Sequence, residues 1–164
     1  MEHIVDVKGA AKCIGVPVEV YIETITGSTF AAQSEALVAQ MLDGERIVGR
    51  QYAYDVVAAH REYKKIEVRN ICKSGYTFFC PSTCIGKGRF FTEKEFFDKL
   101  NEIDSFVFVD MRERLMEPIT FYEVPVSKVR EMYHDDNSVM DDKARITKKR
   151  FFETFSYEEY GLKL

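Results

Sequence analysis

The stretch YDVVAAHREYKKIEVRN, residues 54–70, decides the fold. Its valine-rich first half and its Lys-Ile-Glu-Val-Arg second half read as strands, and HREY between them reads as a turn, so the stretch is a hairpin. Side chains two apart on a strand share a face, about 6–7 Å from each other. Glu67 and Arg69 therefore point the same way, as do Lys65 and Lys73 where the strand stays regular. The hairpin brings Asp55 beside them. Two carboxylates converging on one point repel each other unless a cation lies between them. Oxygen ligands collect Mg2+ or Mn2+ in this way, with the remaining positions left to water and a phosphate oxygen. A positive side chain two residues on can stabilise the charge that builds on a phosphate under attack. These residue types predict metal-dependent phosphodiester hydrolysis.

The pattern on either side is that of an α/β protein. Upstream, GSTFAAQSEALVAQMLDG reads as a helix with Ser28 as N-cap, helical spacing through Leu42 and a stop at Gly44. Three β-like runs follow, at 51–59, 64–72 and 76–80. Thr92-Glu93-Lys94-Glu95 is a capping-box signature that opens the helix EKEFFDKLNEI, with Phe96, Phe97, Leu100 and Ile103 on one side. Strands are predicted at 105–111 and 119–124, then a short helix VSKVREMY, then a tail that mixes a short strand with a final helix. Helix, meander, helix, strands and helix together make an α/β sandwich around a mixed sheet. The aromatics Phe78, Phe79, Phe90, Phe91, Phe96 and Phe97 read mostly as core by their spacing.

At the hairpin and the helix before it, the chain resembles the PD-(D/E)xK nuclease superfamily, the fold of many restriction endonucleases and Holliday-junction resolvases. The motif is an acid at the end of one strand and E-x-K on the next; here Asp55 is followed by Glu67-Val68-Arg69, and Glu35 takes the place of the glutamate many members carry on the preceding helix. The resemblance implies a restriction-endonuclease-like mixed β-sheet flanked by helices over about 28–133, with residues 1–26 as a short N-terminal helical pair and 134–164 as a C-terminal extension. It implies Mg2+ or Mn2+ held by Glu35, Asp55, Glu67 and the backbone carbonyl of Val68, with Arg69 facing the scissile phosphate. DNA is the implied partner, with a homodimer for cutting duplexes. Arg69 replaces the motif lysine, and arginine keeps the charge but cannot give up a proton at working pH. Lys65 and Lys73 share its parity and can substitute. The rival reading is a nuclease-fold module that binds DNA or a protein without cutting, and a third is a nuclease directed at RNA.

Composition bounds these readings. At 164 residues and 46% hydrophobic the chain is long enough for one well-buried domain. Its net charge of −4 excludes a uniformly basic nucleic-acid binder, so phosphate contacts must come from local patches. The candidates are Arg61, Lys64 and Lys65 around the turn, Lys87 and Arg89 in IGKGRFF, and the run Lys143, Arg145, Lys148, Lys149 and Arg150. Gly86-Lys87-Gly88-Arg89 lacks the GxxxxGK[ST] form and is not a P-loop. Cys13, Cys72, Cys80 and Cys84 form no CxxC pair, which favours reduced structural thiols over zinc. His3, His60 and His134 lie in polar contexts and read as surface residues. Near the N-terminus, Ala10-Ala11 followed by Gly15-Val16 resembles a helix-turn-helix of the excisionase type, a second place for DNA contact. MEHIVDVKG has no signal-peptide core and no apolar run approaches a membrane span, so the expected setting is soluble and cytoplasmic.

Overall fold

The computed structural model describes residues 6–18, 21, 29–48, 52–71, 75–81, 90–110, 119–134 and 140–162. Helix α1 (Val7–Ile14) is N-capped by Asp6 and ends at Gly15, whose φ of 72° is the left-handed conformation that glycine adopts at least cost. A helical hydrogen bond from Tyr21 N to Pro17 O opens the second piece of the expected helical pair, most of which lies outside the described residues. Helix α2 (Thr29–Met41) follows; Ser28 lies outside the described residues.

The stop of α2 differs from expectation. Asp43, not Gly44, takes the left-handed conformation, at φ 48°. Gly44 N bonds to Ala39 O at 2.8 Å and Asp43 N to Gln40 O at 3.3 Å, which is a Schellman arrangement with aspartate in glycine's usual place. Gly44 is needed for another reason. A Cβ there would lie 2.8 Å from the Val57 carbonyl oxygen, so the missing side chain lets the helix exit pass against the sheet.

Strands β1 (Glu45–Arg46), β2 (Val56–Val57) and β3 (Lys65–Ile71) form an antiparallel meander. Strand β4 (Tyr76–Phe78) comes next, and helix α3 (Glu93–Glu102) then leads to β5 (Ser105–Asp110), which runs parallel to β3. Strand β6 (Thr120–Pro125) closes the order β1-β2-β3-β5-β6 antiparallel to β5. Thr92 caps α3 by accepting from Glu95 N, as its motif predicts.

Two strand assignments change. The run at 51–59 contributes only Val56–Val57 to a strand, joined to β3 through Asp55 N, which donates to Ile66 O at 2.9 Å. The run at 76–80 is not the third meander strand. Its β4 pairs with β7 (Arg145–Thr147) in a separate two-stranded sheet, and the unforeseen β1 supplies the third meander strand.

The two faces of the main sheet carry different cores. Ile66, Val68, Val107, Val109 and Phe121 face Val38, Ala39 and Leu42 of α2. On the other face Ile71, Phe106, Phe108, Tyr122 and Val124 meet Phe96 and Leu100 of α3, together with Val129 and Met132 of α4 (Val126–His134). Alternation along β3 and β5 divides the residues this way. The tail joins the second core: β7, α5 (Lys148–Thr154) and α6 (Tyr157–Tyr160) bring Phe151 and Phe155 against it. Phe79 lies 4.9 Å from Phe108 and 6.2 Å from Phe155 between ring centroids, in the tilted and edge-on geometries that aromatic quadrupoles favour. Phe90 departs from the core reading, being 82% exposed. No described helix is long and apolar enough to cross a membrane.

Candidate active site

The hairpin, β3 and α3 build one polar cluster inside an otherwise apolar face. Glu67 is buried, and its register partner on β5 is Phe106, so a carboxyl there needs specific polar partners. It has two. Lys99 Nζ of α3 lies 2.5 Å from Oε2, and Arg69 Nη2 lies 2.8 Å from Oε1. Glu67 and Arg69 share a face, as strand parity requires.

Asp55 enters from the end of β2. Its Oδ2 accepts the N–H of Val68 at 2.9 Å, so the carboxylate continues the ladder where the backbone of β2 has turned away. N–H and C=O of one strand residue point to the same side, which turns the Val68 carbonyl toward Asp55 as well. Burial, then the charge of Glu67, pushes the Asp55 carboxyl up to about 7, although the Val68 N–H and Lys99 oppose the shift. Burial also lowers the Lys99 ammonium below the ordinary lysine value, with Glu67 pulling the other way. A carboxylate displaced upward and a lysine displaced downward around one buried glutamate is an arrangement common at reactive centres.

Other expected residues fall differently. Glu35 is already paired. Its Oε2 is held by Arg46 Nε at 2.8 Å and Nη2 at 2.7 Å, on the side of the sheet that α2 covers, and it acts on Asp55 through its charge. Arg69 is tied down: besides Glu67, its Nη2 donates to the Cys80 carbonyl at 2.9 Å, bracing the segment after β4. Lys65 is exposed at the rim, with its Nζ 5.5 Å from the Tyr54 ring centroid. Lys73, Lys87 and Arg89 lie outside the described residues, as do Cys72, Cys84 and His3. Cys13 is exposed and Cys80 is buried. His60 is exposed, and His134, also exposed, stacks on Phe97.

Several basic residues assigned to phosphate contacts are already paired. Arg61 Nη2 binds Glu123 Oε2 at 2.7 Å, and Ser105 Oγ donates to the same carboxylate at 3.0 Å. Arg145 binds Asp141 at 2.6 Å, and Lys149 and Arg150 face Glu153.

Lys99 is the residue that the sequence reading missed. Its signal was present, because it follows Phe96 by three and precedes Ile103 by four, on the buried stripe of α3 rather than the solvent side. Among the described residues no group of three or more His, Cys, Asp or Glu side chains is arranged to hold a metal ion. Of the expected ligands, Asp55 is tied to Val68 through the Val68 N–H, and Glu67 lies one residue before it on β3; these are the oxygen donors of the type a small hard cation takes. No protein-family model matches the chain, and no curated protein matches its sequence significantly.

Proposed function

We propose that this protein is a metal-dependent DNA endonuclease of the PD-(D/E)xK type in which Lys99, delivered by α3, takes the part of the motif lysine. The observation that carries the proposal is the convergence of Asp55, Glu67 and Lys99 where β2, β3 and α3 meet. The element order supports it: helix, three-strand antiparallel meander, helix, parallel strand.

Hydrolysis joins a water oxygen to phosphorus and breaks one phosphorus–oxygen ester bond; the water gives up a proton and the departing sugar oxygen takes one. Asp55, Glu67 and the Val68 carbonyl would hold Mg2+ or Mn2+, whose chemistry when bound is neutralisation of phosphate charge and a more acidic water. Lys99 holds Glu67 in place and presents a cation to the phosphate. Its lowered pKa moves it toward the range in which a lysine can accept a proton, which arginine cannot do. Arg69 fixes the second Glu67 oxygen and so sets the carboxylate plane.

The test is nicking of supercoiled plasmid with Mg2+ or Mn2+, with loss of nicking in Asp55→Ala and Glu67→Ala. One observation favours a second reading, a binding module: both oxygens of Glu67 are engaged by cations of the protein itself. Folded protein that binds DNA but cuts neither DNA nor RNA with either metal establishes that module instead.

A further inference from the structure

Tyr52 and Tyr54, on the chain segment that delivers Asp55, form a stepped cluster with Lys65 at the start of β3. The rings of Tyr52 and Tyr54 lie 5.4 Å apart between centroids, tilted by 39°. Tyr54 is partly buried against the aromatic core, so the inner ring is fixed, while Tyr52 is 47% exposed. Lys65 has its backbone pinned, because Asp104 Oδ2 accepts the N–H of both Lys64 and Lys65 at 2.9 Å. Its ammonium sits over Tyr54, two residues before Glu67 and on the same strand face by parity. An exposed tyrosine alone is an ordinary surface residue. An outer ring on a core-anchored inner ring, beside a lysine and one residue from an active-site carboxylate, is a more specific arrangement.

We propose that this cluster is a binding site for an unpaired nucleobase, and that the preferred substrate is DNA with unpaired nucleotides next to the scissile phosphate. The proposal rests on the DNA reading above. A base packs its flat face on Tyr52, and the adjoining phosphate takes the ammonium of Lys65, which leads the strand toward Asp55 and Glu67. Base pairs inside a continuous duplex hide their faces and cannot use the site. Aromatic stacking of this kind tolerates any base, because every base has a π-face.

The experiment uses the full chain with three fluorescent DNA probes of equal length in Ca2+, with anisotropy as readout: a continuous duplex, the same duplex with a short single-stranded gap, and single-stranded dT. A 2-aminopurine placed in the gap reports stacking directly. Wild type is expected to bind the gapped and single-stranded probes on the order of tenfold more tightly than the duplex and to quench 2-aminopurine. Tyr52→Ala loses on the order of tenfold on the gapped probe, with far less effect on the duplex, and loses the quenching; Tyr52→Phe retains both. Equal affinity for duplex and gapped probes, or equal losses on both in Tyr52→Ala, overturns the stacking site while leaving the DNA reading intact. No binding to any probe overturns both.

Discussion

Lys99 Nζ and Glu67 Oε2 lie 2.5 Å apart, a contact between α3 and β3 with both side chains almost wholly removed from solvent. Charges so placed are stabilised by each other more than by water; removing Glu67 strands the Lys99 ammonium, while removing Lys99 leaves Glu67 to Arg69 alone. The pair therefore serves as a packing element and as the proposed reactive centre at once.

Lys99→Met is expected to lower nicking by on the order of 10²-fold, the size associated with losing one positioned charge at a phosphate. It should also destabilise the fold, by less than the about 3–5 kcal/mol of a fully stranded buried charge, because Arg69 still pairs with Glu67. Urea titration and plasmid nicking measure the two effects. Lys99→Arg separates the roles: activity retained assigns Lys99 to charge alone, and activity lost with stability retained assigns it to proton transfer.

The pH response follows from Asp55. Its carboxyl stands at about 7 when folded against an ordinary 3.8, so between these values the folded state binds a proton that the unfolded state has released. Its contribution therefore favours folding as pH falls from about 7 toward 4 and is lost as pH rises through 7. Asp55→Asn keeps an oxygen for the Val68 N–H and removes the charge. It should melt higher than wild type at pH 8, with the difference shrinking below pH 7 and disappearing only near pH 4. Mn2+ should raise the melting temperature of wild type more at pH 8 than at pH 6, because metal and proton compete for one carboxylate, and should not raise that of Asp55→Asn.

Arg69→Lys keeps a cation within reach of Glu67 but loses the fork that also reaches the Cys80 carbonyl. Nicking is expected to stay within a few-fold of wild type, while stability falls by about 1.5–3 kcal/mol, the range for a hydrogen bond to a charged group. A large rise in activity would return the motif lysine's role to position 69.

The turn after α2 supplies a contrast between neighbours. Gly44→Ala sets a methyl 2.8 Å from the Val57 carbonyl and should cost about 1–3 kcal/mol as helix and sheet separate. Asp43→Gly relieves a left-handed aspartate and should be neutral or stabilising by less than about 1 kcal/mol. Thermal melts of the two variants should move in opposite directions or differ plainly in size.

The legible parts of the sequence were those governed by local rules. The capping residue of α3, the parity of Glu67 and Arg69 and the approach of Asp55 all depend on spacings of a few residues. The illegible parts depend on distant partners. Strand β4 finds β7 far along the chain, so nothing near residues 76–78 separates it from the meander. Strand β1 is two residues long and carries no period that a pattern could reveal. Glu35 was placed on the correct helix, but its claim by Arg46 depends on the β1 pairing that the pattern had hidden. Lys99 was overlooked because a lysine on an amphipathic helix ordinarily faces water.

The pairing of β4 with β7 has a bearing on how the chain is made. Phe79, Phe106 and Phe108 emerge from the ribosome well before Phe151 and Phe155, which complete their packing. The face of the sheet that holds Glu67 is thus left uncovered in part until residues 151–155 have been made, and unsatisfied aromatic surface is what nascent chains aggregate through and chaperones hold. A polypeptide released before Met140 would present three phenylalanines without their cover, and is expected to aggregate rather than fold.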